Sequence, residues 1–244
     1  MPGVFCPDME NSKEFLECEK EWVYHLLIFV AGWFGAYTFF LRGGVFCNAQ
    51  TANVVLFAMA LGNGEWSRAA YLLLPIGAYF AGAFISESLE KSVRRFHLLR
   101  FETLLIGFEA LVVVLLGLMP AEWPDQICQV ALNFICSMQF NTFRQVQGVS
   151  AATTFVTNHI REVGYYSARY LQQGRAEDRR RFGVHGQLIL YFIAGAVVST
   201  VSCRMFSYRS IWGSVIFLAI VFAGLFRADT GAEKEMREKV PHGH

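Results

Sequence analysis

Charge is what this sequence has little of. Asp, Glu, Lys and Arg make up 17% of it, against about 25% in a soluble domain. The formal net charge is +1, so there is no basic field to hold a nucleic acid, and none is expected as a partner. Cys6, Cys18, Cys47, Cys128, Cys136 and Cys203 form no CxxC pair and no metal-ligand spacing. They read as buried free thiols, and no metal or other cofactor is expected. No HExxH, paired-acid or Ser/Lys motif appears, which argues against an intramembrane enzyme; composition excludes a soluble one. A signal peptide is also lacking. Residues 1–22 are polar and acidic, and the apolar run after them has no small-residue cleavage site, so that run is read as a retained span.

Apolar runs are what is there. Hydrophobic residues make up 54%, 23 of them Phe, and the mean hydropathy is +0.35. The charges cluster between these runs, the pattern of a polytopic membrane protein. Six segments are long enough to cross: Val23–Leu41, Ala69–Ser86, Phe101–Met119, Ile127–Phe143, Leu188–Phe206 and Ile211–Phe226. Two more, Thr51–Leu61 and Thr153–Ile160, are too short. At 1.5 Å per residue the first of these covers only about 16 Å, half a bilayer.

Basic residues decide what the short segments do. Lys91, Arg94, Arg95 and Arg100 lie in loop 90–100. Arg161, Arg169, Arg175, Arg179, Arg180 and Arg181 lie in loop 161–183, and Arg227, Lys234, Arg237 and Lys239 in the tail. Segment 120–126 holds only Glu122 and Asp125. The positive-inside rule puts the first three inside and the last outside. Eight crossings would set the two Arg-rich loops on opposite sides. If the short segments dip in and return, every basic loop is cytoplasmic, and so are both termini. The N-terminal stretch, with Lys13 and Lys20, gives no help.

The expected fold is therefore an all-α integral membrane protein of two inverted repeats, each with three spanning helices and one re-entrant half-helix. Segment 1–22 is cytoplasmic, 23–119 and 127–226 are the repeats, 120–126 connects them outside, and 227–244 is a charged cytoplasmic tail. Thr51-Ala52-Asn53 in one dip aligns with Thr157-Asn158-His159 in the other. Inverted repeats with discontinuous helices are a recurring plan of secondary transporters.

The candidate site follows. Gly43, Gly44 and Gly148 permit non-helical backbone at membrane depth. Half-helix N-termini at Thr51 and Thr153 would favour anions at the midplane. Gln50, Thr51, Asn53, Thr157 and His159 stand beside them, as solute ligands or as helix caps and inter-helix bonds. Glu109 falls at mid-span, where an acid costs about 2.5–3.5 kcal/mol by the lower estimates. It is the candidate coupling group, or a neutral Glu tied to an Asn or Thr. Glu102 is read as solvated and His25 as interfacial. Gln129, Asn133 and Ser137 recur at helical spacing on the fourth span, which also carries Gln139 and Asn141. This stripe should face protein or a cavity, and Gln139 and Asn141 join the candidate solute ligands. Gly32, Gly35 and Ala36, with Gly77, Ala78, Ala81 and Gly82, are close-packing faces.

These motifs resemble a known family. Ala31-Gly32 to Tyr37, Gly43-Gly44-Val45-Phe46 and Asn48-Ala49-Gln50-Thr51-Ala52-Asn53 look like the first signature of the YoaK-like family, which usually reads Gln-Thr-Gly-Asn. Met138-Gln139-Phe140-Asn141-Thr142-Phe143-Arg144, Gly148 and Ala152-Thr153-Thr154-Phe155-Val156-Thr157 look like its second, which usually continues Thr-Gly-Asn-Leu-Arg. The resemblance covers about residues 23–226. It implies a bacterial inner-membrane protein grouped as a domain of unknown function, with no assigned substrate. Ala52 and Asn158 stand where the family has glycine, and His159 where Asn is usual; Arg161 is kept. If those glycines let backbone approach a solute, this chain narrows the gap. The functional expectation is a small transporter or permease for a small polar or anionic solute in the lipid bilayer. The alternative is a non-transporting scaffold, sensor or partner subunit. Homo-oligomerisation is left open.

Overall fold

The computed structural model describes residues 15–94, 99–236 and 239–243. Cys6, Lys13, Arg95 and Arg237, and most of segment 1–22, lie outside the described residues. Eight helices follow one another: α1 (Glu21–Leu41), α2 (Gln50–Gly62), α3 (Trp66–Arg94), α4 (Phe101–Leu118), α5 (Asp125–Thr142), α6 (Thr157–Gln173), α7 (Ala176–Phe206) and α8 (Trp212–Thr230). Among the described residues, four stretches are long and apolar enough to cross a membrane: Glu21–Leu41, Trp66–Glu90, Phe101–Leu118 and Ala176–Thr230, the last holding both α7 and α8. The fold is all-α and its apolar helices are those of a membrane protein. α5 falls short of that hydropathy because Gln129, Asn133, Ser137, Gln139 and Asn141 sit along it. Gln129, Asn133 and Ser137 are fully buried, so the stripe faces protein.

Three local expectations change. Segment 161–183 is not a loop. α6 runs through Arg161 and Arg169 to Gln173, a left-handed Gly174 caps it, and α7 starts at Ala176. Across the turn Arg169 pairs with Asp178 at 3.4 Å and Arg181 donates to the Tyr166 hydroxyl at 3.0 Å, which ties this polar helical hairpin together. Nor does the second half-helix begin at Thr153. Gln145–Val146 pairs antiparallel with Val149–Ser150 about Gln147 (φ 45°) and Gly148 (φ 79°). Two central residues with positive φ are the geometry of a tight hairpin turn, and they postpone the helix to Thr157. Finally, Glu102 is buried rather than solvated. It borders a small cavity of about 10 Å³ with Cys18, Tyr24, Thr142 and His242.

Two helix crossings are built alike. α1 packs on α7, and α5 packs on α3. A Cβ on Gly195 of α7 would lie 1.9 Å from the Phe29 carbonyl oxygen of α1; one on Gly82 of α3 would lie 2.3 Å from that of Phe134 on α5. Likewise Gly32 of α1 meets the Phe192 carbonyl, while Ser137 of α5 donates to the Tyr79 carbonyl at 2.5 Å. Small residues let the backbones touch, which is how helices gain packing energy in lipid. The remaining pairs match as well: α2 on α3 and α6 on α7, α1 on α8 and α5 on α4, with α4 against α8.

The polar contacts sort into two ends. At one, Arg42 after α1 pairs with Asp125 at the start of α5 (3.2 Å), and Gln129 donates to the Arg42 carbonyl and to Tyr71 near the start of α3. At the other, Arg144 after α5 pairs with Glu87 of α3 (2.8 Å), and Arg180 of α7 donates to the Gln147 carbonyl. Here too Gln147 donates to the Glu19 carbonyl, and Asp229 of α8 accepts from Thr103 and the Arg100 backbone.

Candidate functional site

The segment between α1 and α2 is kept non-helical by Gly43 and Gly44, both left-handed. A Cβ on Gly43 would also meet Gln129 Nε2 at 2.8 Å and Tyr71 Oη at 3.0 Å. The chain then returns into the bundle. Asn48 donates to the Ala31 carbonyl at mid-α1 (2.9 Å), in space that Gly35 leaves free. Gln50, the first residue of α2, donates to Asn133 Oδ1 at mid-α5 (2.5 Å). Asn53 is fully buried. Its amide donates to the Phe46 carbonyl (2.7 Å) and to Gln50 Oε1 (3.4 Å), and its oxygen accepts from Phe46 N–H (3.3 Å). One short side chain therefore satisfies the backbone of the segment that enters α2, as buried backbone requires.

The segment between α5 and α6 is tied in the same way. His159, in the first turn of α6 and fully buried, has Nε2 2.8 Å from the Ala152 carbonyl oxygen. Asn53 and His159, aligned by sequence, do the same work: each fastens the backbone seven residues before it. His159 further meets His185 of α7.

Glu109 is fully buried at mid-α4. The Gln139 amide is satisfied with its nitrogen towards Glu109, donating to Oε1 at 3.0 Å and Oε2 at 3.2 Å, while its oxygen accepts from Thr153 Oγ1 at 3.0 Å. Glu109, Gln139 and Thr153 therefore form one chain between α4, α5 and the segment before α6. Helix α5 touches both segments, through Asn133 and through Gln139. An open apolar groove of about 220 Å³ on the outer side of α3, α4 and α5 is lined by Phe108 and Met138, the chain neighbours of Glu109 and Gln139.

Not every expected residue joins this seam. Thr51 and Thr157 are exposed, pointing away from the buried side of their helices. Helical periodicity explains it: the face carrying Asn53 or His159 is inward, and a residue two positions earlier is turned by about 200°. Asn141 lies towards the other end of α5, on Ser86 (2.8 Å) and Glu87 (3.2 Å). Two contributors were missed, Asn48 and His185, and Thr153, expected to act through the start of a helix, acts through its hydroxyl instead. Asn48 sat in the polar cluster in plain view. His185 meets His159 only because α6 and α7 fold into a hairpin, which no spacing announced. His25, half-buried, stacks on Tyr191 at 4.4 Å.

Fold and site define a class: an all-α protein with apolar helices of membrane-spanning length and a fully buried polar seam fed by two interrupted segments. The chain belongs to the family described as a protein of unknown function (DUF1275), whose model matches residues 23–224. No curated protein and no solved structure matches it.

Proposed function

We propose that the protein is a small secondary transporter or permease for a small polar or anionic solute, built from two inverted repeats. The carrying observation is the equivalence of the two dips: Asn53 and His159 fasten matching backbone, and both dips converge on the polar face of α5. The paired crossings of α1 on α7 and α5 on α3 support the repeat. Re-entry is supported by the ends: α2 lies between Arg42 and Tyr71, which share one end, and α6 between Arg144 and Arg180, which share the other. In this reading the basic end is cytoplasmic in a bacterial inner membrane, with both termini there. Gln50, Asn53, His159, Gln139 and Glu109 line the route and Glu109 couples it. Thr51 and Thr157 contribute backbone N–H groups rather than hydroxyls. No catalytic role is assigned.

Two experiments decide it. Cysteines placed at the exposed Asn63 and Gln173 should react with a membrane-impermeant maleimide from opposite sides; labelling of both from one side ends the inverted reading. A thermal-shift screen of the purified chain against small anions and polar metabolites should find a stabilising solute, and Asn53→Ala or Glu109→Gln should abolish that shift. A solute whose shift survives both changes binds elsewhere. The closed packing of the seam favours a second reading, a non-transporting scaffold, in which no solute in the screen stabilises the protein.

A further inference from the structure

His159 and His185 are buried with their Nδ1 atoms 2.8 Å apart. The other nitrogen of His159 faces the Ala152 carbonyl oxygen, which only accepts. His159 Nε2 therefore carries hydrogen, and in the neutral ring its Nδ1 is an acceptor. His185 Nδ1 must donate, leaving the lone pair of His185 on Nε2. This fixes two opposite tautomers in one contact. The pair joins three parts of the second dip: the segment entering α6, the first turn of α6, and α7. His185 lies just before the apolar stretch that begins at Leu188, among polar turns. The charged and titratable groups around the pair are Arg161, Glu162 and Tyr166 from α6 and Arg181 from α7. Tyr166 stacks on His185 at 6.2 Å between centroids, and Arg181 donates to its hydroxyl at 3.0 Å.

We propose that the His159–His185 pair is a proton-binding site that takes one proton with its contact intact and parts on the second. The first proton, from water at the basic end, goes to the His185 Nε2 lone pair. The Nδ1–H···Nδ1 bond survives and becomes charge-assisted. A second proton, on His159 Nδ1, sets two N–H donors head to head at the present separation. The contact then opens and frees the first turn of α6 from α7. Burial of the two rings opposes the added charge most, Arg161 and Arg181 oppose it as well, and Glu162 favours it. This deepens the transport reading by naming the proton as the ion coupled to the second half. Its test reads proton occupancy alone, so it can fail while a solute site stands, and stand if no solute is found.

In the unfolded chain both imidazoles titrate near about 6.5. With its Nδ1–H···Nδ1 contact intact the folded pair holds one proton where the unfolded chain takes two, so folding weakens as pH falls, by up to about tenfold in the folded-to-unfolded ratio per pH unit for the excluded proton. The full chain in phosphatidylcholine nanodiscs should melt at progressively lower temperature from pH 7 to pH 5. His185→Phe, which keeps the stack on Tyr166, should lessen that acid loss. His159→Asn, which keeps a donor for the Ala152 carbonyl and leaves one ring to take a proton without a second ring facing it, should also lessen it. Variants that retain the wild-type slope overturn the proposal. On unmutated protein at pH 8, ¹⁵N-histidine NMR should show an Nδ1–H imidazole whose signal is absent from His185→Phe. A spectrum without it overturns the tautomer assignment and the site with it.

Discussion

At the residue scale, single atoms decide where helices touch. Gly195 has no room for a methyl group against the Phe29 carbonyl, whereas Gly77 of α3 has nothing within 4 Å. Gly195→Ala should therefore cost about 1–3 kcal/mol or prevent folding, and Gly77→Ala should be neutral or stabilising by up to about 1 kcal/mol. Melting of the two variants in detergent measures the contrast; equal effects would show that the α1–α7 crossing is looser than described. Glu109 invites a second comparison. Glu109→Gln keeps an oxygen for the Gln139 amide, but Glu109→Leu leaves the Gln139 amide nitrogen without an acceptor in a buried site. That loss costs about 1–3 kcal/mol, so Leu should destabilise more than Gln in chemical denaturation. The reverse order would make the carboxyl's contacts incidental.

At the element scale, the interrupted segments depend on side chains that replace absent helical bonds. Asn53→Ala removes two bonds to the Phe46 backbone and the 3.4 Å contact to Gln50. The expected cost is about 1–3 kcal/mol, with faster maleimide labelling of Cys47, which is fully buried beside that segment. Cys47 as inert as in the parent chain would mean that the dip is held by other contacts. The hairpin opening the second dip turns on Gly148 at φ 79°. Gly148→Ala forces a left-handed alanine, so a loss of about 1 kcal/mol is expected, read by the melting temperature.

At the scale of the whole molecule, the two ends differ in how they are closed. One is closed by the pairing of Arg42 with Asp125 and by Arg42 over the Tyr208 ring at 4.1 Å. The other is closed by residues 15–19 against residues 233–242: His242 donates its backbone N–H to Glu19 at 2.8 Å, and Phe15 lies edge-on to the His242 ring. Glu233 also accepts from the Glu17 backbone at 2.7 Å. Burial pushes the Cys18 thiol, beneath this cover, well above its ordinary range. Removing residues 239–244 should expose that thiol and speed its alkylation. An unchanged rate would place the cover in the N-terminal segment alone.

The sequence by itself determined the class of protein, the approximate spans and the two points where helices break. Those depend on composition and local chemistry: apolar runs must leave water, and glycines among small polar residues cannot continue an apolar helix. It also set Asn53 against His159, by matching Thr51-Ala52-Asn53 with Thr157-Asn158-His159. What tertiary structure alone decided is direction and partnership. Whether Thr51 or Asn53 faces inward depends on how α2 rolls against α3 and α5, a rotation that the neighbours fix and the segment's own residues do not. The meeting of His159 with His185 and of Glu109 with Gln139 joins residues far apart in the chain, and only the packing of α4, α5 and the α6–α7 hairpin brings those atoms within bonding distance.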